Sequence, residues 1–231
     1  MYALRYFLLF AFFSLNLPLF SQVKSNDTVF IERSAKLKTA QSIYFDNNKN
    51  SKAYRDIVDF LMDKFDVYSY RQSLAFLKEN KLKLTKKKPI IPFVKWVPVK
   101  QFKGKFYAYH PCDFYSHYKI SFNDSTFIDW TGEGPVANKI VAQKKVDSKT
   151  YEFRLKGFYQ PNRMLSIYII DVVKNIAVFE ETNEKHEKTY YLMIAANQIK
   201  TLPLIVNNCE THKQNELKFE EPEFKKLLKR K

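Results

Sequence analysis

The chain has 231 residues, 45% of them apolar and 16% aromatic, with a formal net charge of +15 at neutral pH. Beyond an N-terminal apolar block, no stretch is long and apolar enough for a membrane-crossing helix, which excludes one from the mature chain. No recognised nucleic-acid-binding pattern accompanies the charge, so nucleic acid is not an expected partner.

Arg5 precedes an apolar block from Phe7 to Leu15 that Pro18 interrupts, and Ser21 follows. A basic start, a short apolar core and a small residue describe a secretory signal over residues 1–21, cut near Ser21. The expected location is secreted or periplasmic. About 210 residues then remain, enough for a large domain with a small annex.

Residues 22–101 read as a helical annex and a linker. A strand is expected at 28–32, and Leu37, Ala40 and Tyr44 fall at helical spacing. Tyr54, Ile57, Val58, Leu61, Met62 and Phe65 recur every three or four positions, which predicts a helix over 52–66. Ser69 with Gln72 forms a capping box for a second helix running toward Asn80. Residues 81–101 carry Pro89, Pro92 and Pro98, so they read as a linker or edge strand, with Trp96 plugging a surface. From Lys78 to Lys105 there are ten lysines against Glu79 alone, and Lys86, Lys87 and Lys88 are consecutive. That run suits an anionic surface.

Strand-length runs follow at 102–109, 117–122, 125–130, 138–146, 150–158, 163–171, 176–181, 189–195 and 202–206. Tyr151, Phe153 and Leu155 alternate with Glu152, Arg154 and Lys156, giving one buried and one wet face. Asn123–Asp124, Asp147–Lys149 and Lys174–Asn175 mark tight turns. Short connections make antiparallel neighbours, and so long a run closes on itself to hide its edges.

Export makes a disulfide the expected state of the only two cysteines, Cys112 and Cys209. After nine up-and-down passes the first and last strands point the same way, which brings both cysteines to one rim. An even count would separate them beyond the roughly 4.4–6.8 Å between Cα atoms that a disulfide tolerates. The fold class is therefore mainly β within α+β. An up-and-down barrel over 102–209 follows two N-terminal helices and precedes a basic tail, 210–231, with a short helix near Glu220–Lys229.

The leader, the consecutive antiparallel strands and the strand-closing cysteine pair resemble the lipocalin and wider calycin-like barrels. The resemblance is topological and covers roughly residues 102–209. It does not include the family's Gly-x-Trp signature, since Trp96 precedes Gly104. It implies a barrel that can hold one small ligand.

No complete catalytic or cofactor motif is present, and no cofactor is expected. His110, Asp113 and His117 flank Cys112 in one connection and are of metal-ligand type, with His212 as a further donor. They equally suit a proline-bearing turn that caps its own backbone. Trp130 and Glu133 belong to a loop in which Gly132 and Gly134 flank the carboxylate. Tyr151 and Phe153 are inward aromatics that either line a cavity or fill it.

The leading expectation is an exported, non-enzymatic module binding a small apolar or envelope-derived ligand at the rim of residues 110–117 and 131–135. One alternative is a metal-dependent or carboxylate hydrolase using His110, Asp113 and Glu133. Another is an envelope protein docking on an anionic component through Lys86–Lys88.

Overall fold

The computed structural model describes residues 28–34, 40–113, 116–158, 161–210 and 214–229. The expected leader and His212 lie outside the described residues. Strands β1 (Thr28–Ser34) and β2 (Gln41–Asp46) come first. Helices α1 (Lys52–Ile57) and α2 (Lys64–Glu79) follow. Then come β3 (Lys95–Phe102), β4 (Lys105–His110), β5 (Lys119–Phe122), β6 (Thr126–Thr131), β7 (Gly134–Lys145) and β8 (Thr150–Lys156). Strands β9 (Arg163–Asp171), β10 (Ile176–Thr182) and β11 (Lys188–Ala195) lead through a 3-10 turn to β12 (Leu204–Cys209) and helix α3 (Phe224–Leu228).

Eight of these strands, β3 and β5 to β11, close an antiparallel barrel, because β3 pairs with β11 on one edge and with β5 on the other. Residues 95–101, expected to be a linker or edge strand, therefore belong to the closing strand. Pro98 is tolerated because it sits where β3 leaves the barrel: Trp96 pairs with Ile120 of β5, whereas Val99 pairs with Ala108 of β4. Beyond Pro98 the strand continues into a wing ordered β3, β4, β12, β2, β1.

Strands β4 and β12 thus lie outside the barrel and pair in parallel, Ala108 opposite Leu204. The odd pass count brings Cys112 and Cys209 together at disulfide distance, Cα atoms 5.6 Å apart, but they join two wing strands and not a barrel seam.

The barrel interior is filled. Trp96, fully buried, packs against Phe179 with ring centroids 5.2 Å apart, and Phe122, Phe127, Phe153, Leu155, Leu165, Ile167 and Met193 complete the plug. Trp96 is a central core residue, not a surface plug; its indole nitrogen donates to the Phe93 carbonyl at 2.7 Å. A second apolar layer forms on the outside of β3, β10 and β11, where Val97, Val99, Val178, Leu192 and Ile194 meet Tyr54 and Ile57 of α1. Both faces of these strands are buried, so they carry unbroken apolar runs such as Ile176–Phe179.

Three local expectations are corrected. The helical spacing expected of Leu37, Ala40 and Tyr44 gives way at Tyr44 to strand β2, which has two strand partners, β1 and β12, and buries Ile43; Leu37 lies outside the described residues. The helix over 52–66 is interrupted at 58–63. There the Asp59 and Asp63 carboxylates accept from the backbone nitrogens of Leu61 (2.9 Å) and Asp66 (2.8 Å), an arrangement that competes with helix and caps α2. Leu61 is consequently 82% exposed. Ser69 lies inside α2 and caps nothing; its hydroxyl donates to the Glu133 carbonyl at 3.1 Å.

The tail is tied down by acids within it. Glu216 accepts from Tyr109, from the Asp113 backbone nitrogen (2.6 Å) and from Asn207 (3.0 Å). Glu220 accepts from the Gly104 nitrogen and Gln101, each at 3.0 Å. Phe224, Leu227 and Leu228 of α3 pack on the outer apolar layer.

Candidate functional site

Two polar features meet at the barrel end where β6 and β10 finish and β5 and β9 begin. The first is an inward layer that continues the alternation of the core: Arg163 is in phase with Leu165, Glu181 with Phe179 and Asp129 with Phe127. Arg163, 6% exposed, donates from Nη1 to both Glu181 oxygens at 3.0 Å and from Nη2 to Asp129. Asp129 also accepts from the Tyr118 hydroxyl and from Asn138, each at 3.0 Å. The Arg163 guanidinium lies 4.8 Å from the Phe127 ring centroid.

Burial works against the Arg163 charge, but Asp129 and Glu181 outweigh it and hold the guanidinium protonated above its ordinary value. Burial pushes the Glu181 carboxyl up against the opposing pull of Arg163. Burial likewise raises the Tyr191 hydroxyl, to about 12, and Tyr118 well above its ordinary value. These groups are largely occupied with one another, which is how a buried charge persists.

The second feature is an open cleft of about 260 Å³ on the outer wall of β5 and β6, roofed by the 58–63 segment. Asp56, Asp59, Asp66, His117, Lys119 and Trp130 line it. Lys119 pins the roof by donating to the Asp59 carbonyl, and its ammonium sits 5.0 Å from the Phe60 centroid and 5.5 Å from that of Trp130. Phe60 meets Trp130 edge-on at 5.4 Å, and the Trp130 indole donates to Ser121 at 2.8 Å.

The titration of the cleft follows from this packing. Burial lowers the Lys119 ammonium although Asp59, Asp66 and Asp56 favour its charge, and burial with the neighbouring Asp63 raises the Asp66 carboxyl. His110 stands at the margin, Nε2 3.6 Å from Asp56, its ring perpendicular to that of His117 at 5.5 Å. Both imidazoles are lowered mainly by burial.

The residues expected at the rim are thus only partly brought together. His110, His117 and Trp130 gather at the cleft. Asp113 is instead drawn toward the tail by Glu216. Glu133 lines a different groove, of about 350 Å³, between α2 and β7 with Tyr68, Phe76 and Phe158. Gly134 beside it has a structural reason. Gly134 has φ +99°, and a Cβ there would lie 2.6 Å from the Ser69 hydroxyl oxygen, so the hairpin must stay bare for α2 to approach. Tyr151 and Phe153 belong to the filled core.

Among the described residues no group of three His, Cys, Asp or Glu side chains is placed to hold a metal ion. Asp56, Asp59, Asp66 and Lys119 carry no motif that could have signalled them. No protein-family model, curated protein or solved structure matches the chain.

Proposed function

We propose that this is an exported, non-enzymatic barrel module that binds a small polar envelope-derived ligand in the cleft roofed by residues 58–63. The observation that carries the reading is the contrast between a barrel filled with aromatic side chains and an open polar cleft at the rim. A filled plug leaves a lipocalin-like ancestry compatible with the topology but argues against an internal apolar cargo. The cleft is near the lower end of small-molecule sites in size, about one ring. Carboxylates at Asp56, Asp59 and Asp66 suit a ligand rich in hydroxyl and ammonium donors, which describes an amino sugar. The cysteine pair at disulfide distance fits an oxidising compartment. The hydrolase reading is weaker, because Glu133 faces the α2 groove while His110 faces Asp56.

The test is a calorimetric titration with amino-sugar oligosaccharides beside a dye-displacement assay with fatty acids. Saturable sugar binding that the Asp59→Asn/Asp66→Asn double variant loses is the expected result. Saturable fatty-acid binding untouched by those substitutions, or no sugar binding at all, would overturn it.

A further inference from the structure

The barrel end opposite the cleft bears an unusual set of turns. Where β9 passes to β10, Val172 and Val173 occupy the tip, 58% and 81% exposed. The Asp171 carboxylate accepts from the backbone nitrogens of Val173 and Lys174, each at 2.9 Å, which folds the tip and leaves both isopropyl groups in water. On the neighbouring β7–β8 turn Val146 is 45% exposed, and the Lys149 carbonyl accepts from Ile169 at 2.9 Å, tying the two turns side by side. Turn tips ordinarily carry polar residues, so adjacent bare valines call for a reason.

Lysines surround them. The chain at Lys86–Lys88 crosses the same end: the Lys87 nitrogen donates to the Asp124 carbonyl in the β5–β6 turn, and the Lys88 carbonyl accepts from Gln143 at 2.8 Å. Lys86, Lys87 and Lys88 remain exposed, as do Lys144, Lys145 and Lys174. Of the acids at this end, Asp124 is exposed beside the six lysines, whereas Asp147 and Asp171 turn their carboxylates onto their own turns, Asp147 accepting from the Lys149 nitrogen at 2.7 Å. The other end also exposes apolar side chains, Leu61, Phe65 and Tyr68, but Asp59, Asp63 and Asp66 stand among them and oppose an anionic partner.

We infer that the end bearing Val146, Val172, Val173 and Lys86–Lys88 docks on an anionic lipid bilayer, the lysines meeting headgroups while the valine tips enter the headgroup–acyl boundary. Charge complementarity selects the anionic surface. The exposed valines select a bilayer over a sulfated or carboxylated polymer, which offers them no apolar phase. The cleft then faces away from the lipid, so docking and ligand binding do not compete.

The experiment is co-sedimentation of the purified protein with vesicles of phosphatidylcholine and phosphatidylglycerol, or of phosphatidylcholine alone. Its N terminus is mapped by mass spectrometry and is the same in every variant. Sulfated dextran serves as a polymer control. Binding should need phosphatidylglycerol and fall as salt rises. Lys86→Gln/Lys87→Gln/Lys88→Gln should weaken both vesicle and dextran binding, roughly a hundredfold on vesicles at about fivefold per charge. Val172→Ser/Val173→Ser should weaken vesicle binding about tenfold or more and leave dextran binding unchanged. Vesicle binding indifferent to phosphatidylglycerol would overturn the inference. A valine variant that binds vesicles as the wild type does would overturn it too, and assign the surface to polyanions.

Discussion

Replacing Arg163 with methionine removes the only cation from a layer that holds Asp129 and Glu181, and it does so with little change in side-chain volume. Arg163 is 6% exposed and both carboxylates are buried, so water cannot take over its role without opening the barrel. Breaking a buried pair by removing one partner costs about 3–5 kcal/mol. The deficit is also pH-dependent. In the variant the Glu181 carboxyl, already pushed up by burial, loses the opposing pull of Arg163 and binds a proton more tightly folded than unfolded, at about 1.4 kcal/mol for each tenfold change in proton affinity. The folded state then holds more protons than the unfolded state, so stability falls as pH rises, and the deficit should be large near neutrality and smaller in acid.

Urea unfolding followed by the fluorescence of Trp96 in the core and Trp130 beneath the cleft roof, both buried in the folded state, reads this directly. The midpoint should drop at about pH 7 and recover in part at about pH 4.5. The all-neutral Asp129→Asn/Arg163→Met/Glu181→Gln variant should regain at least half of the loss. A single variant within about 1 kcal/mol of wild type at neutral pH, or a deficit that grows in acid, would refute the account of this layer.

Other outcomes follow from the same structure. Gly134→Ala should destabilise by about 1–3 kcal/mol in urea melts, because the left-handed φ and the approach of Ser69 both resist a methyl group. Gly104→Ala, at φ +72° but with nothing within 4 Å, should cost less, and equal losses would contradict the steric argument. His110 and His117 are held below the ordinary imidazole value by burial, so the unfolded chain takes up protons first as pH falls. Stability should therefore decline below about pH 6.5, and His110→Gln/His117→Gln should flatten that limb of the thermal-melt profile. Reducing the Cys112–Cys209 pair opens a 97-residue loop and should lower unfolding free energy by up to about 4.7 kcal/mol. Hydrogen exchange should then rise first in β12 and β4.

What the sequence made legible follows from burial on one face or two. Strand β8 buries Tyr151, Phe153 and Leu155 and wets Arg154, so alternation located it. Strand β3 was read only as a linker or edge strand because Pro98 suggested a break where the strand merely changes partners. The division of β4 and β12 from the barrel was hidden for a related reason: the pass count fixes strand direction, and hence the meeting of the cysteines, but not which strands close the ring. At the site, Trp130, His110 and His117 were visible as residue types, whereas Asp56 and Asp59 lie off the apolar stripe and looked like the wet face of one continuous helix. Arg163 and Glu181 were in phase with the core, a signal that parity alone could have raised. The clamp of Glu216 on Tyr109 joins positions 107 residues apart and leaves no local trace.

The wing has its own timetable. Strand β2 finds one neighbour at once in β1, but its other, β12, begins 158 positions after Asp46, near the close of the chain (204 − 46). At about 5–20 residues per second, synthesis leaves that hydrogen-bonding edge bare for roughly 8 to 30 seconds, while the whole barrel is made in between. Whatever escorts the emerging polypeptide must shield Ile43 and its flanking backbone through that interval, or a second nascent copy will supply the missing neighbour first.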